Sequence, residues 1–182
     1  MSGHDLRAMP WIAVSDLDGR RRMVGLRELL CDAHQLRDVH DDDPTVLMAL
    51  HRFLPTVAAL VCARYPWRDR THSWASVAEQ GFDPEYVSAA LDELGAALEL
   101  NGTFMQDAQV TGPVRAIGEL HPLAPSGATK AWWHKNTPAS LGPPDAARHL
   151  IAAWFCSTAA AGRSAGEYLD EPGVTYRPRG NP

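Results

Sequence analysis

The sequence predicts an α+β fold, a mainly helical mixed domain with a few short antiparallel strands. Three observations carry this. Apolar residues recur at three- and four-residue spacing over several stretches, short mixed runs flank an Asp/Gly turn near the N-terminus, and Pro or Gly marks most boundaries. A chain of 182 residues, 45% of them hydrophobic, is long enough to bury one substantial core.

Trp11 to Val14 and Arg22 to Val24, separated by Asp16, Asp18 and Gly19, have the form of a β-hairpin, so the chain is expected to open on strands. From Leu26, the residues Leu26, Leu29, Leu30, Ala33 and Leu36 share one helical face, predicting a helix that ends near the acidic run Asp41, Asp42, Asp43. Pro44 marks a new start. Thr45 to about Tyr65 is apolar on more than one face and is expected to be the central buried helix, kinked or divided at Pro55. Trp67 to Ser73 reads as a polar connection and Trp74 to Glu79 as a short helix. In Phe82-Asp83-Pro84-Glu85, Asp83 is an N-cap and Pro84 a first helical residue; Val87, Ala90, Leu91, Leu94 and Leu98 form the apolar face that follows, and Asn101-Gly102 its end.

Beyond Gly102 the periodicity stops. Thr103 to Leu141 contains Gly112, Pro113, Pro122, Pro125, Gly127 and Pro138 and reads as one long irregular segment, of the kind that is functional or disordered. Pro143-Pro144-Asp145 reopens a helix to about Ala161, with Ala147, Leu150, Ile151, Trp154 and Phe155 on its apolar face. After it the pattern lapses again, so residues 1–182 are expected to be one domain, either cut from a larger protein or ending in a tail of its own.

Composition narrows the function. Charged residues make up 21% and the formal net charge is −5, which excludes coating a nucleic acid by bulk positive potential and leaves only a local patch. Cys31, Cys62 and Cys156 are odd in number and far apart in apolar contexts, as reduced core thiols of a cytoplasmic protein are. No C-x-x-C or H-x-x-x-H spacing suggests zinc, and no G-x-S-x-G, Walker, G-x-G-x-x-G or H-E-x-x-H motif suggests catalysis. His34, His51 and His149 fall on expected helices and read as partly buried polar residues. The sequence thus predicts no catalytic residue, metal site or cofactor. It shows no signal-peptide pattern and no apolar run approaching the ~20 residues of a membrane span.

The most informative stretch is Ser126-Gly127-Ala128-Thr129-Lys130-Ala131-Trp132-Trp133-His134-Lys135-Asn136, which holds the chain's only two lysines. Lys130 and Lys135 offer charge to phosphates, Trp132 and Trp133 offer flat faces for stacking or wedging, and His134 and Asn136 offer polar tips for base edges. The same residues have a plainer reading, in which the Trp pair anchors a long loop to the core and the lysines solvate its edge. Arg20-Arg21-Arg22 is a second basic patch, either a charged hairpin edge or a phosphate contact. Arg163, Arg177 and Arg179 lie among glycines near the C-terminus. The acidic run from His40 to Asp43 reads as a helix terminus and solvated turn rather than a metal site.

Several of these motifs, in order, resemble one family. Met9-Pro10-Trp11-Ile12-Ala13-Val14, then Gly25-Leu26-Arg27-Glu28-Leu29-Leu30 with Ala33-His34, are similar to the opening of CasA proteins, where a P-W-I-P-V strand precedes a G-L-x-E-x-L helix. Phe104-Met105-Gln106-Asp107 resembles that family's F-x-Q-D segment, and Ser126-Gly127-Ala128-Thr129 the start of its DNA-contacting loop. The resemblance spans roughly Met9 to Gly166. It implies the incomplete N-terminal domain of the large subunit of a type I-E CRISPR Cascade complex, active in antiviral defence. The implied partners are the other Cascade subunits and crRNA, double-stranded target DNA near the flanking motif (PAM), and a helicase-nuclease effector, with no membrane. The family's Phe-Val-Asn positions fall on Trp133, His134 and Lys135, and its glycine-rich, minor-groove loop near Gly162, Arg163 and Gly166. Ala13 replaces a family proline, the loop tip is Trp-His-Lys, and a C-x-x-C of some relatives is missing. Two other classes compete: a small-molecule-binding domain or enzyme with Trp132, Trp133 and His134 lining a pocket, and a stand-alone interaction module.

Overall fold

The computed structural model describes residues 4–65, 67, 73–100, 103–105 and 140–156. Strand β1 (Ile12–Asp16) is central in a three-stranded antiparallel sheet, flanked by β2 (Arg21–Val24) and β3 (Leu36–His40). The hairpin is as expected, with Ile12 opposite Val24 and Val14 opposite Arg22. Alternation does the sorting: Ile12, Val14 and Val24 are fully buried, while Ala13, Ser15, Arg21 and Met23 take the other face.

Strand β3 corrects the helix expected over Leu26 to the acidic run. Helix α1 covers only Leu26–Cys31, a 3₁₀ turn follows at Ala33–Gln35, and the chain then extends along β1. Spacing favoured a helix, but the open edge of β1 offers Leu36 to His40 a full set of backbone partners, and pairing outweighs weak local propensity. The register shifts between Ser15 and Asp16, so that Ser15 faces Asp38 while Asp16 faces Leu36. Arg37 is the extra residue of this bulge. Leu36 thereby packs against the core while Arg37 and Asp38 both reach the outer side.

The N-terminal segment is wedged between α1 and the later helices. Leu6 donates its amide to the Leu98 carbonyl (2.9 Å), and Leu26 and Arg27 donate to the carbonyls of Leu6 (3.1 Å) and Arg7 (3.0 Å). Gly25 permits this: a Cβ there would lie 2.7 Å from the Arg7 carbonyl oxygen, so the glycine that starts the G-L-R-E motif is there for close approach. Arg7 pairs with Asp5, Asp92 and Glu99, tying the segment to the end of α4 (Pro84–Asp92).

Helix α2 (Pro44–Arg64) is the spine. Asp43 caps it, its carboxylate accepting from the Thr45 amide at 2.7 Å, and Pro44 occupies the first turn. The helix runs through Pro55 undivided, with Pro55 on the exposed side and the Thr56 hydroxyl donating to the Arg52 carbonyl at 3.0 Å. Val46, Ala49, Leu50, Phe53, Val57 and Val61 bury one face. By length and composition α2 is also apolar enough to cross a bilayer, which corrects the expectation that no segment approaches a span; its interrupting polar residues lie on the side away from the core. Trp11 is fully buried beside it, edge-on to Phe53, its indole N–H donating to the Leu6 carbonyl at 3.0 Å.

Helix α3 (Trp74–Gln80) is capped by Ser73 and helix α4 by Asp83, both as the local motifs dictate. Helix α4 is shorter than its apolar pattern. It stops at Asp92, Gly95 turns into the left-handed region, and a 3₁₀ turn at Gly95–Leu98 swings Leu98 into the core and residues 98–100 alongside residues 4–6. Helix α5 (Pro143–Cys156) lies on α2, burying Ala147, Ile151 and Ala152, with Leu150 and Phe155 half-buried against the same core.

Arg148 of α5 reaches Asp41 at 3.4 Å, joining the loop before α2 to α5. Burial, with the neighbouring charges of Asp43 and Asp42, holds the Asp41 carboxyl above its ordinary value despite the Asp43 amide and Arg148. A carboxyl raised in the folded state stabilises below its unfolded pKa and loses that contribution as pH climbs through the folded value. Asp41→Asn should therefore gain stability relative to the wild type between about pH 3 and pH 7, read as urea midpoints at both ends of that range. The opposite trend would mean that the ion pair outweighs burial.

Candidate functional site

Lys130, Trp132, Trp133, His134, Lys135 and Asn136 lie outside the described residues, as do Gly162, Arg163 and Gly166. The residues on either side of 106–139 are described, and both sides rest on α2. On one side, Phe104 is 2% exposed and meets Phe53 edge-on at 6.0 Å, within a turn whose next residue, Met105, adopts a positive φ of 51°. On the other, α5 packs along α2, and Arg52 donates to the Phe155 carbonyl at 3.4 Å. The F-x-Q-D phenylalanine is thus a core anchor at the base of that segment.

The triple arginine splits by strand alternation. Arg22 turns toward α1, where it pairs with Glu28 and Asp32 (3.0 Å), a structural role. Arg20 and Arg21 are exposed. Arg21 shares the outer sheet face with Ser15 and Asp38, and there a depression of about 280 Å³ is lined by Ser15, Gly19, Arg21, Arg37, Asp38 and His40. His40 Nε2 and Ser15 Oγ are 2.9 Å apart across β1 and β3. Neither Arg37 nor His40 was visible as part of a basic site, because the strand that brings them beside Arg21 read as helix and acidic turn. Of that acidic turn, Asp43 is the cap of α2 and Asp41 accepts from the Asp43 amide at 2.9 Å.

The remaining polar candidates are placed as follows. His34 and His149 are half-buried, as expected. His51 is instead exposed on the outer side of α2, at the margin of an apolar groove of about 380 Å³ that includes Leu36, Leu54 and Ala58. Cys31 and Cys62 are free thiols; burial pushes both up, with Asp32 adding to the effect at Cys31, so both stay protonated at neutral pH.

Comparison with known proteins defines the class first. The chain has the fold of solved Cse1 structures: that of Acidimicrobium ferrooxidans Cse1 matches with a TM-score of 0.69 at 24% identity, over 95% of this chain and 33% of that one. Thermus thermophilus CasA (Cse1) matches at 0.63 and 24% identity over 85% and 31%, and a chain of a CRISPR RNA-guided surveillance complex at 0.63 and 22% over 90% and 38%. This chain therefore spans about a third of the length of each. No curated protein sequence matches. The sequence model of the CRISPR-associated protein Cse1 family matches residues 5–178, and the chain belongs to that family.

Proposed function

We propose that residues 1–182 form the N-terminal part of the large subunit of a type I-E CRISPR surveillance complex, a non-catalytic cytoplasmic module. It docks with the other Cascade subunits and crRNA, binds double-stranded target DNA beside the flanking motif, and helps recruit the helicase-nuclease. The family match over residues 5–178 carries this reading, and the matching surveillance-complex chain supports it. In such assemblies base pairing with the guide reads the sequence, and protein contacts near a short flanking motif start strand separation. Lys130, Trp132, Trp133, His134, Lys135 and Asn136 supply charge, stacking faces and polar tips for that contact, and Gly162, Arg163 and Gly166 allow close backbone approach to DNA. The anchors at Phe104 and α5 support the first of these assignments, because a contact segment mounted on the central helix loses less entropy on binding.

Combined replacement of Trp133, His134 and Lys135 by Ala in the full subunit tests it. One lost stacking contact is worth ~1 to 3 kcal/mol, so target-duplex affinity of the reconstituted complex should fall about tenfold or more, or assembly with crRNA should fail. Unchanged assembly and unchanged duplex binding would remove the segment from the mechanism. Failure of the unsubstituted chain's full subunit to join crRNA-bearing partners would remove the function itself.

A further inference from the structure

We propose that the outer face of the three-stranded sheet is a second nucleic-acid contact, in which Arg21 and Arg37, set around the Ser15–His40 pair, with Arg20 in the adjoining turn, hold the phosphodiester backbone of duplex DNA without reading its sequence. This deepens the target-binding reading above but rests on different residues from the Lys130 to Asn136 segment.

Charge pairing singles the face out. Arg7, Arg22, Arg27, Arg64 and Arg148 are all engaged in ion pairs, whereas Arg20, Arg21, Arg37 and Arg52 have no acidic partner within ion-pair distance among the described residues; Arg52 stands apart on α2 and donates to the Phe155 carbonyl, while the other three share one end of the sheet. All three are exposed at one end of the sheet. Arg37 is there because the bulge opposite Ser15 and Asp16 turns it outward, and bulges commonly re-aim a side chain in this way. The nearby carboxylates are partly occupied by backbone: Asp16 accepts from the Arg20 amide at 2.8 Å and Asp38 from the Val39 amide at 2.8 Å. Asp16, Asp18 and Asp38 stand at the same end of the sheet, so a contact there would be made by the individual unpaired guanidinium groups rather than by net positive potential.

The chemistry of the face chooses the ligand. Cross-strand rows place Met23, Ala13 and His40 beside Arg21, Ser15 and Asp38, with no Trp, Tyr or Phe to stack an unpaired base, and the His40 ring is tied to Ser15. Single-stranded DNA or RNA is held by aromatic stacking as well as charge, while a duplex backbone needs only cations and donors at phosphate spacing. A slightly concave, non-aromatic surface that presents two unpaired guanidinium groups therefore suits a duplex backbone better than an unpaired strand.

The test uses the whole 182-residue chain. Fluorescence anisotropy with a labelled duplex at low salt measures the affinity of the wild type, of Arg21→Ala, of Arg37→Ala and of the two combined, with Arg52→Ala on α2 as a control matched in charge to each single variant. The double variant should bind duplexes of unrelated sequence about tenfold more weakly, and its log–log salt slope should shrink by about two. Arg52→Ala should bind within about twofold of the wild type, since its effect is confined to screened, distant charge. Circular dichroism melts of the wild type and the Arg21 and Arg37 variants should coincide, those two residues being exposed, and Arg52→Ala, which loses its bond to the Phe155 carbonyl, is compared at a temperature where it remains folded. Undiminished binding by the double variant, an equal loss with Arg52→Ala, a preference of the wild type for single strands of the same sequence, or no salt-sensitive duplex binding at all would each overturn the proposal. None of these outcomes alters whether the full subunit assembles with crRNA-bearing partners, which separates this failure from that of the functional reading.

Discussion

Gly81→Ala should lower the thermal midpoint of the chain by about 10 °C, the largest loss expected from adding a single methyl group. Gly81 ends α3 with φ at +81° and ψ at 178°, a conformation essentially confined to glycine that costs an alanine ~1 to 3 kcal/mol. Its missing Cβ would also stand 2.1 Å from the Cys31 carbonyl oxygen and 2.6 Å from His34 Nδ1. A carbonyl in the last turn of α1 cannot swing aside as a flexible side chain would, so overpacking adds roughly 1 to 3 kcal/mol. At this chain length each kcal/mol moves the midpoint by about 2 to 4 °C. Gly95→Ala separates the two causes: φ is +49° there but nothing lies within 4 Å of the added Cβ, so only the backbone part should appear. Equal losses at both glycines would refute the close approach of Gly81 to the Cys31 carbonyl and the His34 ring.

Phe104→Ala should cost about 3 to 5 kcal/mol, as deletion of a buried aromatic ring usually does. The ring closes a file of edge-on contacts, Trp11 to Phe53 at 6.2 Å and Phe53 to Phe104 at 6.0 Å, that joins the residue before β1, α2 and the base of residues 106–139. Phe104→Leu, which keeps most of the apolar contact, should retain the greater part of that stability. Urea unfolding compares the two. If Phe104 also positions the segment proposed to contact the assembly, target binding by the reconstituted full subunit should fall with Phe104→Ala and recover with Phe104→Leu, measured where both remain folded. An alanine variant with an unchanged urea midpoint would show that Phe104 anchors nothing.

The parts of the fold that were legible are those specified by neighbours in the chain. Asp43 before Pro44 and Asp83 before Pro84 were readable as helix starts, because the carboxylate that caps each helix reaches an amide two residues on, at 2.7 and 2.8 Å. The hairpin was readable from alternation around an Asp/Gly turn. Family membership was readable from motif order, and the close approach at Gly25 supplies a physical reason for one of those letters. The candidate contact segment was readable as chemistry, since both lysines bracket a Trp pair.

Other features depended on partners distant in sequence. Leu36 to His40 carries helical spacing, yet β1 pairs with it, and only that pairing brings Arg37 and His40 beside Arg21 and Ser15. Helix α4 stops short of its apolar pattern because residues 98–100 are claimed by residues 4–6. The exposure of His51 and the sidedness of α2 follow from where the sheet, α4 and α5 sit on that helix.

By itself the sequence determined where helices begin, the alternation of the hairpin, the α+β class and the family, since capping, turn chemistry and local periodicity act over a few residues. Tertiary structure alone decided which edge takes a third strand, how far each helix runs and which arginines are left without a carboxylate. Those outcomes are set by competition among backbone and charge partners many residues apart, and only the folded chain brings the competitors together.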